Sequence, residues 1–425
     1  MKSLAVYLIV FFIPFIFISC RKEGNALINN SAFHFYGTAS EEEFLSCGVD
    51  DNGNLDVFVS KEDTIGFKSL ELWKISQSGE VKQKHIIDSS TNYYSFRKPW
   101  TYGEGAMAKL PDGGWAFAYT KVIPAGFQEY RFCKTTKNGE LQWTRDHTEL
   151  LLSPNYFFGT NIYWRNNSIE FFGTENRPQD IGGYLKSYKY DLNGNYLDSF
   201  SLQQDTVLPD SPLPISQRNI LNVANYIIPI RDGFATTIQV GQDPSKGYNS
   251  KILALCLFEK NGKVKRYRRI GIDNPWAIQA NTPPFLLPTS DGGILMAGCQ
   301  LPKGQLFVSK FSSNGDSLWT RFIGNTVAQI LGIINHSGGS LIYGSVPSNN
   351  LGLIGCGYVA MLNDNGNVLW EYRIGGINSS CIKDVKELPN GDIACVGFTT
   401  SFNKGKNQKD GFLVILHSNG KPKSN

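Results

Sequence analysis

Five histidines, His34, His85, His147, His336 and His417, stand too far apart to form HxH, HExxH or a mixed His/Cys cluster. Those are the spacings at which a short stretch of chain can hold a metal ion. His336 falls in a turn and is expected to be solvated. DDNGNLD at Asp50 and DLNGNYLD at Asp191 look like calcium loops. Their carboxylate and glycine spacing departs from DxDxDG, and a hairpin turn accounts for the same residues. There is no GxSxG elbow, no phosphate loop and no GxGxxG opening a helix, so neither a metal nor another cofactor is expected. Two kinds of chemistry remain. Carboxylates from distant loops, such as Glu104, Glu175, Asp205, Asp210 and Asp273, could converge as an acid/base pair. Flat rings beside a cation, namely Tyr93, Tyr94, Phe96, Arg97, Trp100 and Tyr102, with Trp276 and the run Tyr156 to Phe158, could stack on sugars or hold an extended peptide. The same rings could instead pack their own loops onto the scaffold.

Residues so dispersed act together only if the fold gathers their loops, and internal repeats indicate how. From Gly304 to Gly324 the chain reads GQLFVSKFSSNGDSLWTRFIG: an alternating strand, a Ser-Asn-Gly turn and a second strand, hence a β-hairpin. Copies recur on Gly79, Gly139, Gly194, Gly262, Gly315, Gly366 and Gly420, 51 to 68 residues apart. Each unit has an earlier turn followed by a short apolar strand, beginning at Asp50, Pro111, Arg165, Arg231, Ser290, His336 and Pro389. Seven units of four antiparallel strands give an all-β fold, a seven-bladed β-propeller spanning 31–425 as one domain. After Gly420 only KPKSN remains, so the last unit lacks its outer strand. SAFHFYG, Ser31 to Gly37, precedes the first unit and is predicted to complete the seventh blade, closing the ring and bringing the termini together.

In this strand order one face carries the turns within each hairpin and the other carries the remaining connections. The second group holds the long ones: 88–103, 202–221, 271–285 and 399–410. Long loops on a rigid scaffold are where binding residues concentrate, so a site is expected there.

Trp143, Trp319 and Trp370 share the fourth position after the hairpin glycine, and Gly324 and Gly375 the ninth. With the DGG and NG turns, this resembles the bacterial β-propeller lipoproteins and secreted proteins built on such repeats. These are distantly similar to tryptophan-motif, quinoprotein-like propellers. The resemblance covers about residues 31 to 420 and implies a blade-packing role for the Trp. Quinone chemistry is not implied, because only the packing Trp matches.

Before the repeats, Lys2 leads into an apolar run, Leu4 to Ile18, interrupted by Pro14 and ending at Ser19-Cys20. It is too short for the roughly 20 residues a spanning helix needs, and reads as a signal-peptide core. IFISC resembles a bacterial lipobox, with Phe17 where Leu is usual. The resemblance implies a signal peptide at 1–19, lipidation of Cys20 and a tether over 20–30. Seven further cysteines form no CxxC, and Cys133 and Cys256 hold equivalent positions before their turn glycines, which points to buried thiols rather than disulfides. Forty-one Lys and Arg against 37 Asp and Glu, spread without blocks, give no nucleic-acid footprint.

The sequence therefore describes a monomeric propeller of the bacterial cell envelope, held at the outer membrane through its lipid anchor only. It is expected to bind a protein or glycan through its long-loop face, with Tyr93, Tyr94, Arg97, Trp100, Tyr102 and Trp276 as candidate contacts. A carbohydrate-active hydrolase or lyase with rim carboxylates is the alternative, and a structural envelope assembly factor a third.

Overall fold

The computed structural model describes residues 33–37, 40–63, 67–91, 96–97, 107–122, 128–146, 156–176, 183–201, 227–242, 251–270, 284–300, 305–324, 329–347, 355–375, 378–401 and 408–423. These form seven antiparallel sheets. Blades 1 to 6 occupy 41–91, 96–146, 156–201, 227–270, 285–323 and 329–374. Blade 7 joins three strands from 380–416 to the N-terminal strand Phe33–Phe35. In blades 1 and 3 to 7 the strands lie in sheet order one to four. In blade 2 the first strand is split: Phe96–Arg97 and Met107–Lys109 both pair with Trp115–Val122.

The short glycine turns follow from backbone geometry. Each of the seven hairpin glycines between third and fourth strands has φ between 76 and 91°, where a side chain is strained. The blade 3 turn uses Asn166 and Asn167 at φ 50 and 57°, the pair a two-residue hairpin favours. At the turns between first and second strands Asp112 and Asp291 accept from the amides of Gly114 and Gly293. The same carboxylates bind Lys134 and Lys310 of the third strand, at 2.6 Å each. Asp50 does likewise in blade 1, accepting from the amides of Asn52 and Asn54 and binding Lys74 at 2.9 Å. Asp191 caps its own turn through Asn193 and Asn195. The residues that look like calcium loops are thus hairpin caps.

Apolar surface lies between blades, not in one central core. Phe58 meets Phe117, Phe132 meets Phe171 and Phe172 meets Phe234, with centroids 4.6, 4.1 and 5.3 Å apart, each across a blade boundary. Strands with a blade on either side are buried on both faces, so Asp410–Leu416 is covered throughout. The repeated Trp is a joint of this kind. Trp143 donates to the Leu192 carbonyl at 3.0 Å, and Trp370 to that of Ser418 at 2.9 Å, each in the turn of the next blade. Blade 4 carries Arg266 at the same position, donating to Asn314.

The closing strand lies where the sequence puts it. Phe33, His34 and Phe35 pair with Val414, Leu413 and Phe412, and the Tyr36 amide donates to Gly411. The C-terminal tail occupies the preceding positions of the same edge, Pro422 bridging Leu416 and the Lys423 amide donating to Ile415. The fourth strand of blade 7 is therefore assembled from both ends of the chain, and the two ends are neighbours. Outside, Tyr36 donates to the Gly79 carbonyl at 2.9 Å in blade 1. Inside, buried Asp384 of blade 7 accepts from the Cys47 amide of blade 1 and the Tyr343 hydroxyl of blade 6, both at 3.1 Å.

Two expectations change. Residues 88–103 are not one loop, since Val81–Thr91 continues as strand and Phe96–Arg97 is a strand. His336 is buried, not solvated: it ends the strand Gln329–His336, and its Nδ1 accepts from the Gly338 amide at 2.9 Å. The seven cysteines beyond Cys20 are free and buried, as their strand positions suggest.

Candidate functional site

Strand direction divides the connections. The fourteen turns that join first to second and third to fourth strands never exceed five residues. The others include 202–226, twenty-five residues between Ser201 and Ile227, and 271–284, fourteen between Ile270 and Phe285. The Tyr156 to Phe158 run belongs to the innermost strand of blade 3, opposite Asn176, Glu175 and Thr174.

Two polar constellations sit toward the long-loop end of the blades. In the first, fourth-strand Asp88 of blade 1 enters blade 2. Tyr119 donates to its Oδ2 at 2.6 Å and Arg131 binds the same oxygen at 2.9 Å. Arg131 also holds Asp146 at 2.8 Å. Burial, then the neighbouring Cys133 and the bond to Asp88, push the Tyr119 phenol far above its usual range, so it is a donor and not a base. One guanidinium between two carboxylates makes this a pin at the root of the 92–106 connection. The Arg97 backbone pairs with Thr120, beside Tyr119.

The second constellation spans blades 7 and 1. Glu43 is held by Lys383 at 3.1 Å and Lys409 at 2.6 Å. Both ammonium groups lie over the Phe398 ring, 5.4 and 4.8 Å from its centroid. Burial alone raises the Glu43 carboxyl; the two lysines outweigh it and hold it below the usual range. Two ammonium groups and an aromatic face meet here, an arrangement suited to acidic or hydroxyl-rich ligands.

Of the residues singled out from sequence, Cys20, Tyr93, Tyr94, Trp100, Tyr102 and Trp276 lie outside the described residues, as do Glu104, Asp205, Asp210 and Asp273. Glu175 lies in the second strand of blade 3, its backbone opposite Phe157 and Tyr184. Glu43, Lys383 and Lys409 gave no local signal, because Glu43 and Lys409 are 366 positions apart. On the tight-turn face a cleft of about 560 Å³ separates blades 1 and 2. Its carboxylates are engaged, Asp50 by Lys74, Asp51 by Lys109 and Asp112 by Lys134. Among the described residues no three His, Cys, Asp or Glu side chains are grouped to hold a metal.

These features define the molecule as a closed seven-bladed β-propeller. No family model matches the chain. The polysaccharide lyase Uly1 shares the fold, with a TM-score of 0.51, 8% identity, and coverage of 88% of this chain and 89% of that one. The BP39L lectin from Burkholderia pseudomallei gives 0.50 and 12%, covering 92% and 99%. In sequence, 73 residues are 38% identical to a T-cell immunomodulatory protein homolog of Plasmodium yoelii yoelii. That stretch is 17% of this chain and only 10% of that protein.

Proposed function

We propose that this chain is an exported propeller of the bacterial cell envelope, anchored to the outer membrane through a lipidated Cys20, that binds a protein or glycan through its long-loop face. One observation carries the reading: every turn on the opposite face is five residues or fewer, while the long connections all leave from this one. Phe398 between Lys383 and Lys409 supplies a described point on that face where ring stacking and positive charge coincide. A lectin and a polysaccharide lyase of the same fold bring saccharides forward as the glycan case.

The test is a glycan array and an envelope-protein pull-down with residues 25–425, alongside Phe398→Ala and Lys409→Glu. Binding that the two substitutions weaken supports the reading, and absence of any ligand in both screens refutes it. The hydrolase or lyase alternative draws less support from the described carboxylates, since Asp88 and Asp146 are both held by Arg131. It would rest on loop acids such as Glu104, Asp205, Asp210 and Asp273, and product release from a bound glycan would decide for it. An assembly role would show as a stable envelope-protein complex with no saccharide binding.

A further inference from the structure

The third residue after each hairpin glycine begins the outer edge of a blade. Around the ring this position holds Lys82, Gln142, Leu197, Lys265, Leu318, Leu369 and Lys423. Polar residues at four of the seven show that the fold does not require an apolar one. Yet Leu318 and Leu369, on adjacent blades 5 and 6, are each 56% exposed, and Phe322 and Val368 beside them are 45% and 40% exposed. Ile86 on blade 1, Leu141 on blade 2 and Tyr196 and Leu197 on blade 3 are exposed as well, but they stand apart from this group, with blade 4 or blade 7 between.

Charge is uneven around the same rim. The outer strands of blades 4 to 6, VKRYRRI, SLWTRFI and VLWEYRI, carry six basic residues and one acidic. Those of blades 1 to 3 carry Lys82, Lys84 and Arg145 against Asp88, Asp146 and Asp198. The basic strands of blades 4 to 6 therefore carry one of the two groups of exposed apolar side chains, the other lying on the charge-balanced outer strands of blades 1 to 3. Arg266 and Arg268 share the exposed Asp316, and Arg373 has Glu371, which leaves the strip net positive.

The chain ends bear on the orientation. Phe33 pairs with Val414 and Lys423 bonds Ile415, consecutive positions on the outer edge of blade 7, next to blade 6. Phe33, where the described chain begins, therefore lies on the rim rather than on either face.

We propose that the outer edge of blades 5 and 6, with the basic outer strand of blade 4, is a docking surface for an anionic lipid bilayer. Leu318, Phe322, Val368 and Leu369 enter the interfacial region, and the flanking Arg and Lys side chains meet the headgroup phosphates. The contact does not depend on acylation. With Cys20 lipidated, the position of Phe33 on the blade 7 rim, next to blade 6, is compatible with this same edge facing the membrane and the long-loop face being free.

The test uses residues 25–425, which retain every strand of the closed ring, and vesicles of phosphatidylcholine with or without phosphatidylglycerol. Co-sedimentation is expected with the anionic vesicles only, weakening as salt is raised. Leu318→Ser/Leu369→Ser is expected to lower partitioning about tenfold or more, as is Arg321→Ser/Arg268→Ser. Tyr196→Ser/Leu197→Ser, equally exposed on blade 3, should leave it unchanged. No vesicle binding, or binding indifferent to the blade 5 and 6 substitutions, overturns the proposal. Concentration-dependent dimerisation abolished by Leu318→Ser/Leu369→Ser would overturn it too, assigning the strip to a second copy. Failure of the glycan and protein screens would leave this result untouched, so the two readings are separable.

Discussion

Gly366 and Gly391 have nearly the same backbone, φ 76 and 80°, but different surroundings. A Cβ built at Gly391 meets nothing within 4 Å, whereas at Gly366 it lies 2.5 Å from Cζ3 of Trp319. Gly391→Ala should therefore cost only the left-handed strain of alanine, about 1–2 kcal/mol. Gly366→Ala should cost that plus displacement of the Trp319 ring from the blade 6 turn, a further overpacking term of about 1–3 kcal/mol. Guanidinium unfolding of residues 25–425, followed by Trp fluorescence and circular dichroism, measures both midpoints and slopes. In a Trp319→Ala background the Gly366→Ala excess should disappear, a coupling of about 1–3 kcal/mol between the two positions. Equal losses at the two glycines would refute the account of the Trp as an inter-blade joint, as would an excess that survives without Trp319.

The Asp291 carboxyl is held at about 2 by hydrogen bonds from Lys310, Thr289 and the Gly293 amide. A folded value depressed from 3.8 means the contribution is present above about pH 4 and lost as pH falls toward 2, so the midpoint gap between wild type and Lys310→Met should shrink over that window. A gap that is constant or widens on acidification would contradict it. For the thiols, burial pushes Cys133 up to about 12 and Cys381 up to about 11. None of the seven in residues 25–425 should react with an aromatic disulfide at mildly alkaline pH while folded, and all seven should react in denaturant without reductant. A smaller count after unfolding would reveal a disulfide.

The repeat count, the tight-turn face and the closing strand were legible because each rests on local chemistry repeated seven times. Gly at positive φ, Asp at a turn cap and alternating apolar residues leave the same trace in every unit. The sequence carries a further regularity: Lys74, Lys134, Lys189 and Lys310 each stand five residues before their hairpin glycine. Three of the four pin the Asp of the neighbouring turn, while Lys189 approaches Glu170 and Asp198 at 4.0 Å. The split first strand of blade 2 was not legible, because Phe96–Arg97 is too short to show a period and is set among other aromatics. His336 misled for a different reason. A histidine before Ser-Gly-Gly looks like a turn residue, but its ring folds back to cap that turn and is covered by Glu387, 3.7 Å away. The polar constellations left no trace, since their members come from different blades, and those of the second meet only once the ring is closed.

That last point joins fold and function. Glu43 belongs to blade 1, Lys383, Phe398 and Lys409 to blade 7, and the outer strand of blade 7 comes from the opposite end of the chain. The seam is held by the pairing of Phe33–Phe35 with the Asp410–Leu416 strand, the bond from Cys47 to Asp384 and the bond from the Glu42 amide to the Lys409 carbonyl. A ligand resting on Phe398 and Lys409 across this seam would find its site in the closed ring and not in an opened one. Binding would then add to the stability of the native state by mass action, in proportion to the logarithm of ligand concentration over its dissociation constant. The seam at which the two ends of the chain meet is thereby coupled to what the long-loop face captures.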